Sequence, residues 1–244
     1  MAKPRSARRA PTTFAIVPTR GGSKSIKHKN LLPFLGRPLV GHVIEAARRS
    51  KSVDRIVCST DDPAIAAVAR DLGIEVSHRP PELARDETPI LDVLSQLLPE
   101  LSARGDDIVL LLQPTSPFVL PEHIDACVDL LRRHAEADAA QTITTLPHNH
   151  HAYNQRVVEG GYVRFRFEKE RLACFNKQLK PRFHAFGNIV ATRVAAILDK
   201  GLVFGERCLA VEIPRDYAAD IDGPDDVAPA TFLVESGRVK LPWL

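Results

Sequence analysis

The chain has 244 residues, of which 44% are hydrophobic and 26% are charged. These proportions are ordinary for a globular protein and exclude a largely disordered one, and the length fits one large α/β domain or two small ones. The 33 basic and 30 acidic residues give a net charge of +3, which is too small for a protein that coats nucleic acid.

The amino-terminal residues 1–12 are basic and lack the apolar core of a secretion signal. No apolar stretch approaches the ~20 residues needed to span a bilayer. We therefore expect a disordered basic tail over 1–12, a single domain over 13–244, and a cytoplasmic protein. The four cysteines are widely spaced and form no C-x-x-C pair, which predicts reduced thiols in or near the core.

Short apolar runs alternate with amphipathic segments over residues 13–145. Strands are predicted at 13–18, 55–59, 74–77 and 108–113, and helices at 38–49, 64–72, 89–101 and 122–134. This alternation predicts an α/β fold, with a mostly parallel sheet covered by helices on both faces. The continuous apolar run at 108–113 is the best candidate for the centre of the sheet.

The pattern changes in residues 145–183, which are polar, aromatic and irregular. They contain too few apolar residues for a separate core, so we expect an inserted arm, with alternation at 161–167 predicting a half-exposed antiparallel strand. After the arm, strands are predicted at 186–190 and 208–213, and helices at 191–199 and 224–236.

A glycine-rich basic loop, Arg20-Gly21-Gly22-Ser23-Lys24, directly follows the first predicted strand. Ligands of parallel α/β sheets bind at the carboxyl ends of strands, and paired glycines let backbone N–H groups approach an anion. With Lys27 and Lys29, the loop carries four positive charges within ten residues, which favours a phosphate site over a merely solvated loop. Neither the Walker spacing nor the dinucleotide fingerprint is present, which disfavours a P-loop kinase or a dehydrogenase.

A second candidate site is the segment Asp220-Ile221-Asp222-Gly223. In an extended chain the two carboxylates point the same way, and like charges that close favour a cation between them. Mg²⁺ prefers a few carboxylate oxygens together with waters and substrate phosphates. Asp222 also stands just before Pro224, where it could cap a helix.

Five motifs occur in the order found in the CMP-sialic acid synthetase (acylneuraminate cytidylyltransferase) family. They are Thr19-Arg20-Gly21-Gly22-Ser23-Lys24-Ser25-Ile26 with Lys29-Asn30, Ser59-Thr60-Asp61-Asp62, Arg79-Pro80-Pro81-Glu82-Leu83-Ala84, Leu112-Gln113-Pro114-Thr115-Ser116-Pro117 and Asp220-Ile221-Asp222. Over about residues 13–238 the chain thus resembles this family. The resemblance implies a Rossmann-like nucleotide-diphospho-sugar transferase fold, and transfer of CMP from CTP to an acidic acceptor with release of pyrophosphate.

The resemblance also implies roles for single residues. The phosphate loop would bind the nucleotide through Arg20, Gly21, Gly22, Ser23, Lys24 and Lys29. Arg20, Lys24 and Lys29 would be the catalytic cations, while Asn30 and Arg79 would lie against the ribose and cytosine. Gln113 would face the acceptor, and Asp220 and Asp222 would hold Mg²⁺. Members of the family are usually homodimers in which the inserted arm reaches the partner's site.

The departures from the family pattern all lie on the acceptor side. Phe118 and Val119 stand where the family has Leu-Arg, and Phe186-Gly187 stands where it has Asn-Gly, whereas the arm is rich in cations. We expect the anionic acceptor to be held by Gln113 together with Arg164, Lys177, Arg182 and His184. Three histidines of the arm, His148, His150 and His151, are either solvated or part of a metal site.

Loss of hydrogen-bonding side chains beside retained positive charge favours a small, strongly anionic acceptor, because an unpaired sugar hydroxyl in a pocket is costly. The family includes relatives that cytidylylate phosphonic acids in antibiotic pathways, and a phosphonoformate-like acceptor fits this pattern. A nonulosonic acid (sialic, legionaminic or pseudaminic acid) is the alternative acceptor. A non-catalytic nucleotide-binding regulator is the alternative of a different class. Neither nucleic acid nor a membrane is expected as a partner.

Overall fold

The computed structural model describes residues 9–22, 26 and 28–244, and its centre is a seven-stranded sheet. The strands of this sheet are β1 (Thr13–Pro18), β4 (Arg55–Thr60), β5 (Glu75–His78), β6 (Ile108–Leu111), β7 (Ala139–Thr145), β10 (His184–Arg193) and β11 (Cys208–Glu212). Two short hairpins lie outside it: β2 (Pro33–Phe34) with β3 (Arg37–Pro38), and β8 (Arg156–Glu159) with β9 (Tyr162–Phe165).

The helices are α1 (Leu39–Arg49), α2 (Pro63–Asp71), α3 (Ile90–Glu100), α4 (Pro121–Arg133), α5 (Glu168–Ala173), α6 (Val194–Leu198) and α7 (Pro224–Glu235). The strand order is β11-β7-β10-β6-β1-β4-β5. Every strand of the large sheet runs in the same direction except β10, which is antiparallel to β6 and β7. The loops that follow β1, β5, β6 and β7 therefore emerge at one edge of the sheet.

Apolar side chains cover both faces of the sheet. In β1, Phe14 and Ile16 pack into a cluster with α3 and α6, whereas Ala15 and Val17 pack into a larger cluster with α1 and α4. Successive residues of a strand point to opposite faces, so a strand buried on both sides must be apolar throughout. This requirement explains the unbroken apolar runs in the sequence.

The predicted architecture is confirmed, and β6 is the fourth of the seven strands, as the apolar run predicted. Strand β7 was not predicted because its sequence, AAQTITT, is rich in polar residues. The late strand is longer than expected, 184–193, because it pairs with both β6 and β7. Residues 191–193, which were predicted to begin a helix, belong to this strand, and the helix begins at Val194.

The arm lies between β7 and β10, and its predicted antiparallel strand is confirmed as β9. Of the predicted basic tail, residues 1–8 lie outside the described residues. Both Arg9 and the Thr12 backbone donate hydrogen bonds to Asp107, at 3.2 and 2.6 Å, so the end of that segment is held against the domain. All four cysteines are free thiols, and two of them, Cys58 and Cys127, are buried.

The pairing of β10 with β7 is interrupted between Phe186 and Val190. Within this irregularity, Asn188 is completely buried, and its backbone N–H donates to Thr142 Oγ1 at 2.8 Å. The Thr142 hydroxyl in turn donates to Asn188 Oδ1 at 3.0 Å. A Cβ added at Gly187 would lie 2.5 Å from Thr142 Oγ1, so only glycine fits beside this pair.

We predict that Gly187→Ala lowers the free energy of unfolding by about 1–3 kcal/mol, because the added methyl group overpacks a buried site. Chemical denaturation measures the change. The control is Gly41→Ala in α1, where a Cβ would meet its nearest neighbour at an ordinary 3.7 Å. There alanine should stabilise by about 0.5–1 kcal/mol. Wild-type stability in Gly187→Ala would contradict the packing described for β10.

Candidate functional site

A cavity of about 810 Å³ opens at the edge of the sheet where β1, β5 and β6 end. The polar and charged side chains that line it include Arg20, Lys29, Asn30, Arg79, Gln113 and Asp222. These residues are distant in the sequence and meet because the carboxyl ends of parallel strands share an edge. The cavity is therefore the candidate functional site.

The loop after β1 is held by the loop after β4. The backbone N–H of Gly21 donates to Asp61 Oδ1 at 3.0 Å. The side chain of Asp62 caps α2 by accepting from the backbone N–H groups of Ala64 and Ile65, at 2.7 and 3.0 Å. A Cβ at Gly21 would lie 2.5 Å from Asp62 Oδ2, so glycine is required for this close approach. The Ser59–Asp62 motif thus shapes the phosphate loop from outside the cavity.

Two cations of the cavity are paired with carboxylates. Arg20 Nη1 lies 2.6 Å from Asp86 Oδ1, and Lys29 Nζ lies 3.0 Å from Asp222 Oδ1. The Lys29 side chain is only 14% exposed, whereas that of Asp222 is 75% exposed. Asn30 Nδ2 donates to the carbonyl oxygen of Arg20 at 3.0 Å and so links the two ends of the loop.

Arg79 follows β5 and is almost fully buried, with 5% of its surface exposed. Its Nη2 donates to the carbonyl oxygen of Ser59 at 2.9 Å, and its Nε donates to Ser59 Oγ at 3.3 Å. Burial lowers the pKa of the Arg79 guanidinium, and the nearby carboxylate of Asp61 acts in the opposite direction. A buried cation that lines a cavity is suited to an incoming polar or anionic ligand.

The Asp220–Asp222 segment is anchored in the protein through Ile221, the residue between the two aspartates. The side chain of Ile221 is completely buried, and its N–H donates to the carbonyl oxygen of Thr115 at 2.8 Å. Ser116 Oγ donates to Asp220 Oδ1 at 3.3 Å. Desolvation by the surrounding chain raises the pKa of the Asp220 carboxyl, and the charge of Asp222 adds to that increase.

The prediction that Asp222 could cap a helix is wrong. The residue that caps the start of α7 is Asp226, whose Oδ2 accepts from the backbone N–H groups of Asp222 and Gly223 at 2.9 and 2.7 Å. A carboxylate within the first turn satisfies both donors by reaching back. The Asp222 carboxylate is therefore turned away from the helix and lines the cavity with Lys29.

The donors at this segment fit a magnesium ion. Within the ranges that the structure describes, no group of three or more His, Cys, Asp or Glu side chains could hold a metal ion. A site of one or two carboxylates completed by waters and substrate phosphates is nevertheless typical of Mg²⁺. Asp220 and Asp222 supply such a pair beside a cavity lined by cations.

Most of the predicted nucleotide-binding residues are brought together. Those that line the cavity are Arg20, Gly22, Lys29, Asn30 and Arg79. Gly21 supports the loop, while Ser23 and Lys24 lie outside the described residues. Arg85, Asp86 and Thr88 also line the cavity and were not predicted from the sequence. Their position in the loop that follows a strand of the parallel sheet could have identified them.

Within a single chain, the predicted acceptor residues do not all lie at the cavity. Gln113 lines the cavity, but within the described part of the chain Arg164, Lys177, Arg182 and His184 do not. Phe118 and Val119 are completely buried in the core. They therefore form no apolar wall around an acceptor, although the guanidinium that the family pattern has here is still missing.

Comparison with known proteins gives a family. Residues 14–162 match the model of a family described as cytidylyltransferase. The chain is 28% identical over 224 residues to an N-acylneuraminate cytidylyltransferase of Streptococcus agalactiae serotype V. This match covers 87% of this chain and 51% of the relative. It is 40% identical over 120 residues to a CMP-N,N'-diacetyllegionaminic acid synthase of Legionella pneumophila, covering 48% of this chain and 52% of the relative.

Among solved structures, a CMP:2-keto-3-deoxy-manno-octonic acid synthetase complexed with CTP superposes with a TM-score of 0.69 at 18% identity. The match covers 93% of this chain and 99% of the other, and at this identity it establishes the fold alone.

The chain belongs to the cytidylyltransferase family, and its fold is of the Rossmann-like nucleotide-diphospho-sugar transferase type. It spans about half the length of the curated relatives that it matches. None of the helices in the described ranges is both long and apolar enough to cross a membrane.

We predict that Arg79→Met leaves the free energy of unfolding within about 1 kcal/mol of wild type, because an apolar residue of similar volume avoids the cost of burying a cation. Thermal and chemical denaturation measure this. Arg79 would then be retained for its ligand and not for the fold. A loss of more than about 2 kcal/mol would contradict this and make the bonds to Ser59 structural.

Proposed function

We propose that the protein transfers CMP from CTP to a small anionic acceptor and releases pyrophosphate. The observation that carries this proposal is the convergence of Arg20, Lys29 and Arg79 with Gln113 and Asp222 on one cavity. Family membership supports a reaction of CTP, and the names of the relatives support an acidic acceptor.

In this reaction an acceptor oxygen bonds to the α-phosphorus of CTP. The bond from that phosphorus to the bridging oxygen breaks, and its electron pair leaves with pyrophosphate. Negative charge is spread over the phosphate oxygens, so catalysis depends on positioning and on charge stabilisation. Arg20, Lys24 and Lys29 donate hydrogen bonds to the phosphates. In doing so, Arg20 exchanges its partner Asp86 for a phosphate oxygen, and Lys29 exchanges Asp222.

The nucleoside lies in the part of the cavity lined by Asn30 and Arg79, and Gln113 orients the acceptor. A phosphonate or carboxylate oxygen is already ionised at neutral pH and needs no general base. A hydroxyl group would have to lose a proton during the reaction. Asp220 and Asp222 hold magnesium, which when bound neutralises charge on the phosphate oxygens.

The acceptor that we propose is a small phosphonic acid, such as phosphonoformate, made for an antibiotic pathway. Two polar groups of the family pattern are missing: Val119 replaces an arginine and is buried, and Phe186 replaces an asparagine. A sugar acid would lose hydrogen bonds at both positions. A nonulosonic acid is the second candidate, because the relatives named above act on neuraminate and legionaminic acid.

We also propose that the protein is a cytoplasmic homodimer joined through the arm. Large apolar side chains cluster on the exposed surface of the arm, each more than half exposed: Val158, Tyr162, Val163, Leu172, Phe175 and Leu179. Exposed apolar surface of this kind is typical of an interface. A partner's arm would bring its own cations toward the cavity, and the cytoplasm is the compartment that supplies CTP.

We predict that pyrophosphate is released when the protein is incubated with CTP, magnesium and phosphonoformate, and that EDTA stops the release. Lys29→Met should lower kcat/KM on the order of 100-fold, because a cation that stabilises the reacting phosphates is lost. A continuous pyrophosphate assay with phosphonoformate, N-acetylneuraminate and a legionaminic acid in parallel measures both.

The matched control is Lys51→Met, which removes the same charge from an exposed position before β4. Wild-type turnover in Lys29→Met would contradict the role of Lys29. Release with sugar acids alone would replace the phosphonate by a nonulosonic acid. Binding of CTP without turnover of any acid would favour a non-catalytic regulator.

A further inference from the structure

A second hollow opens where β7 ends, at the same edge of the sheet as the cavity. It measures about 470 Å³, and its lining includes Thr144, Phe186, Arg215 and Ala218; we call it the arm hollow. Ala218 lines the arm hollow, whereas Asp222, four residues later, lines the cavity. Four residues of extended chain span at most ~14 Å, so the linings of the arm hollow and of the cavity come within that distance at this segment.

The arm hollow is bordered by cations. Arg215 lines both it and an adjoining hollow of about 490 Å³, whose lining also includes Lys177, Arg238 and one acidic residue, Asp216. That carboxylate is engaged by Arg238, with Nη2 to Oδ1 at 2.8 Å and Nε to Oδ2 at 3.0 Å. The guanidinium of Arg215 makes no hydrogen bond or ion pair with any residue that the structure describes.

The local positive potential also affects His148, which lines the adjoining hollow. Desolvation and the positive charges of Lys180 and Lys177 lower the pKa of the His148 imidazole. The cations that line the two hollows, Arg215, Lys177 and Arg238, favour an anion over a cation there. Lys177, expected from the sequence to bind the acceptor, is therefore next to the arm hollow and not in the cavity.

An independent observation comes from the wall of the arm hollow. Thr144 is only 5% exposed, and its Oγ1 is buried without a hydrogen-bond partner among the described residues. Thr142, on the same face of β7, has a fully satisfied hydroxyl. A buried unpaired hydroxyl costs about 1–3 kcal/mol, so it calls for a partner. Because Thr144 lines the arm hollow, a ligand bound there is a candidate for that partner.

We propose that the arm hollow binds an anionic group of the acceptor, a carboxylate or a phosphonate, through Arg215 and Thr144. This inference rests on the proposed CMP transfer and extends its acceptor site. The guanidinium of Arg215 donates two parallel hydrogen bonds to the oxyanion, and the Thr144 hydroxyl donates a third. The acceptor's second oxyanion or hydroxyl then reaches past Ala218 to the α-phosphate. The arm hollow thus selects acceptors that carry an anionic group in addition to the oxygen that attacks the α-phosphate.

Arg215→Gln should raise the KM for the acceptor about tenfold or more and leave the Kd for CTP unchanged, because a charge-assisted bond to the acceptor alone is lost. Thr144→Val should raise the acceptor KM a few-fold without lowering the melting temperature, since it removes an unpaired hydroxyl at constant volume. Steady-state kinetics and calorimetry with CTP measure these effects. The matched control is Arg104→Gln, which removes an exposed arginine before β6, at the opposite edge of the sheet.

An unchanged acceptor KM in Arg215→Gln would overturn the proposal, as would an equal loss of CTP affinity. Calorimetric titration of phosphonoformate and of inorganic phosphate into the CTP-bound protein in EDTA, which is expected to stop turnover, tests the arm hollow by itself. Arg215-dependent binding there, with no turnover of any acid, would support the anion site while CMP transfer fails. Phosphate that binds through Arg215 without competing with the acceptor would overturn the proposal and make this an effector site.

Discussion

The site depends on how positive charge is held where the parallel strands end. Arg20, Lys29 and Arg79 meet at one cavity, and mutual repulsion would spread them apart without negative partners. Asp86 and Asp222 supply those partners from loops that are far away in the sequence. The carboxylates thus hold the cations of the cavity together, and under the proposed function a triphosphate takes their place. Under that proposal, each ion pair both stabilises the cavity and competes with the phosphates for the same cation.

Backbone contacts fix the loops that carry these charges. Asp61 holds the N–H of Gly21, and Asp226 holds those of Asp222 and Gly223, so two further carboxylates act on the main chain alone. The buried side chain of Ile221 anchors the last of these loops in the core. Of the acidic residues around the cavity, some therefore build the loops and others face the ligand.

The sequence predicted the sheet well because strands buried on both faces must be apolar, as β1 and β6 are. It missed β7, whose threonines and glutamine are stabilised by pairing and not by their own preference. The residues that line the cavity could be predicted to lie together because many of them directly follow strands. The positions of Lys177 and Arg164 relative to the cavity could not be predicted, because both lie on an arm whose direction depends on tertiary contacts. Arg215 was not singled out because a single arginine in a short 3₁₀ helix carries no sequence signal.

The most direct test of this account is the affinity of CTP for Asp86→Asn. If Asp86 is a counter-ion that the triphosphate replaces, neutralising it should tighten CTP binding about two- to fivefold, since a partly exposed ion pair is worth up to ~1 kcal/mol. Glu87→Gln removes the same charge from the exposed neighbouring residue and should change the affinity less. Calorimetry at constant ionic strength compares the three proteins. Weaker CTP binding in Asp86→Asn would contradict the account and make Asp86 a residue that positions Arg20.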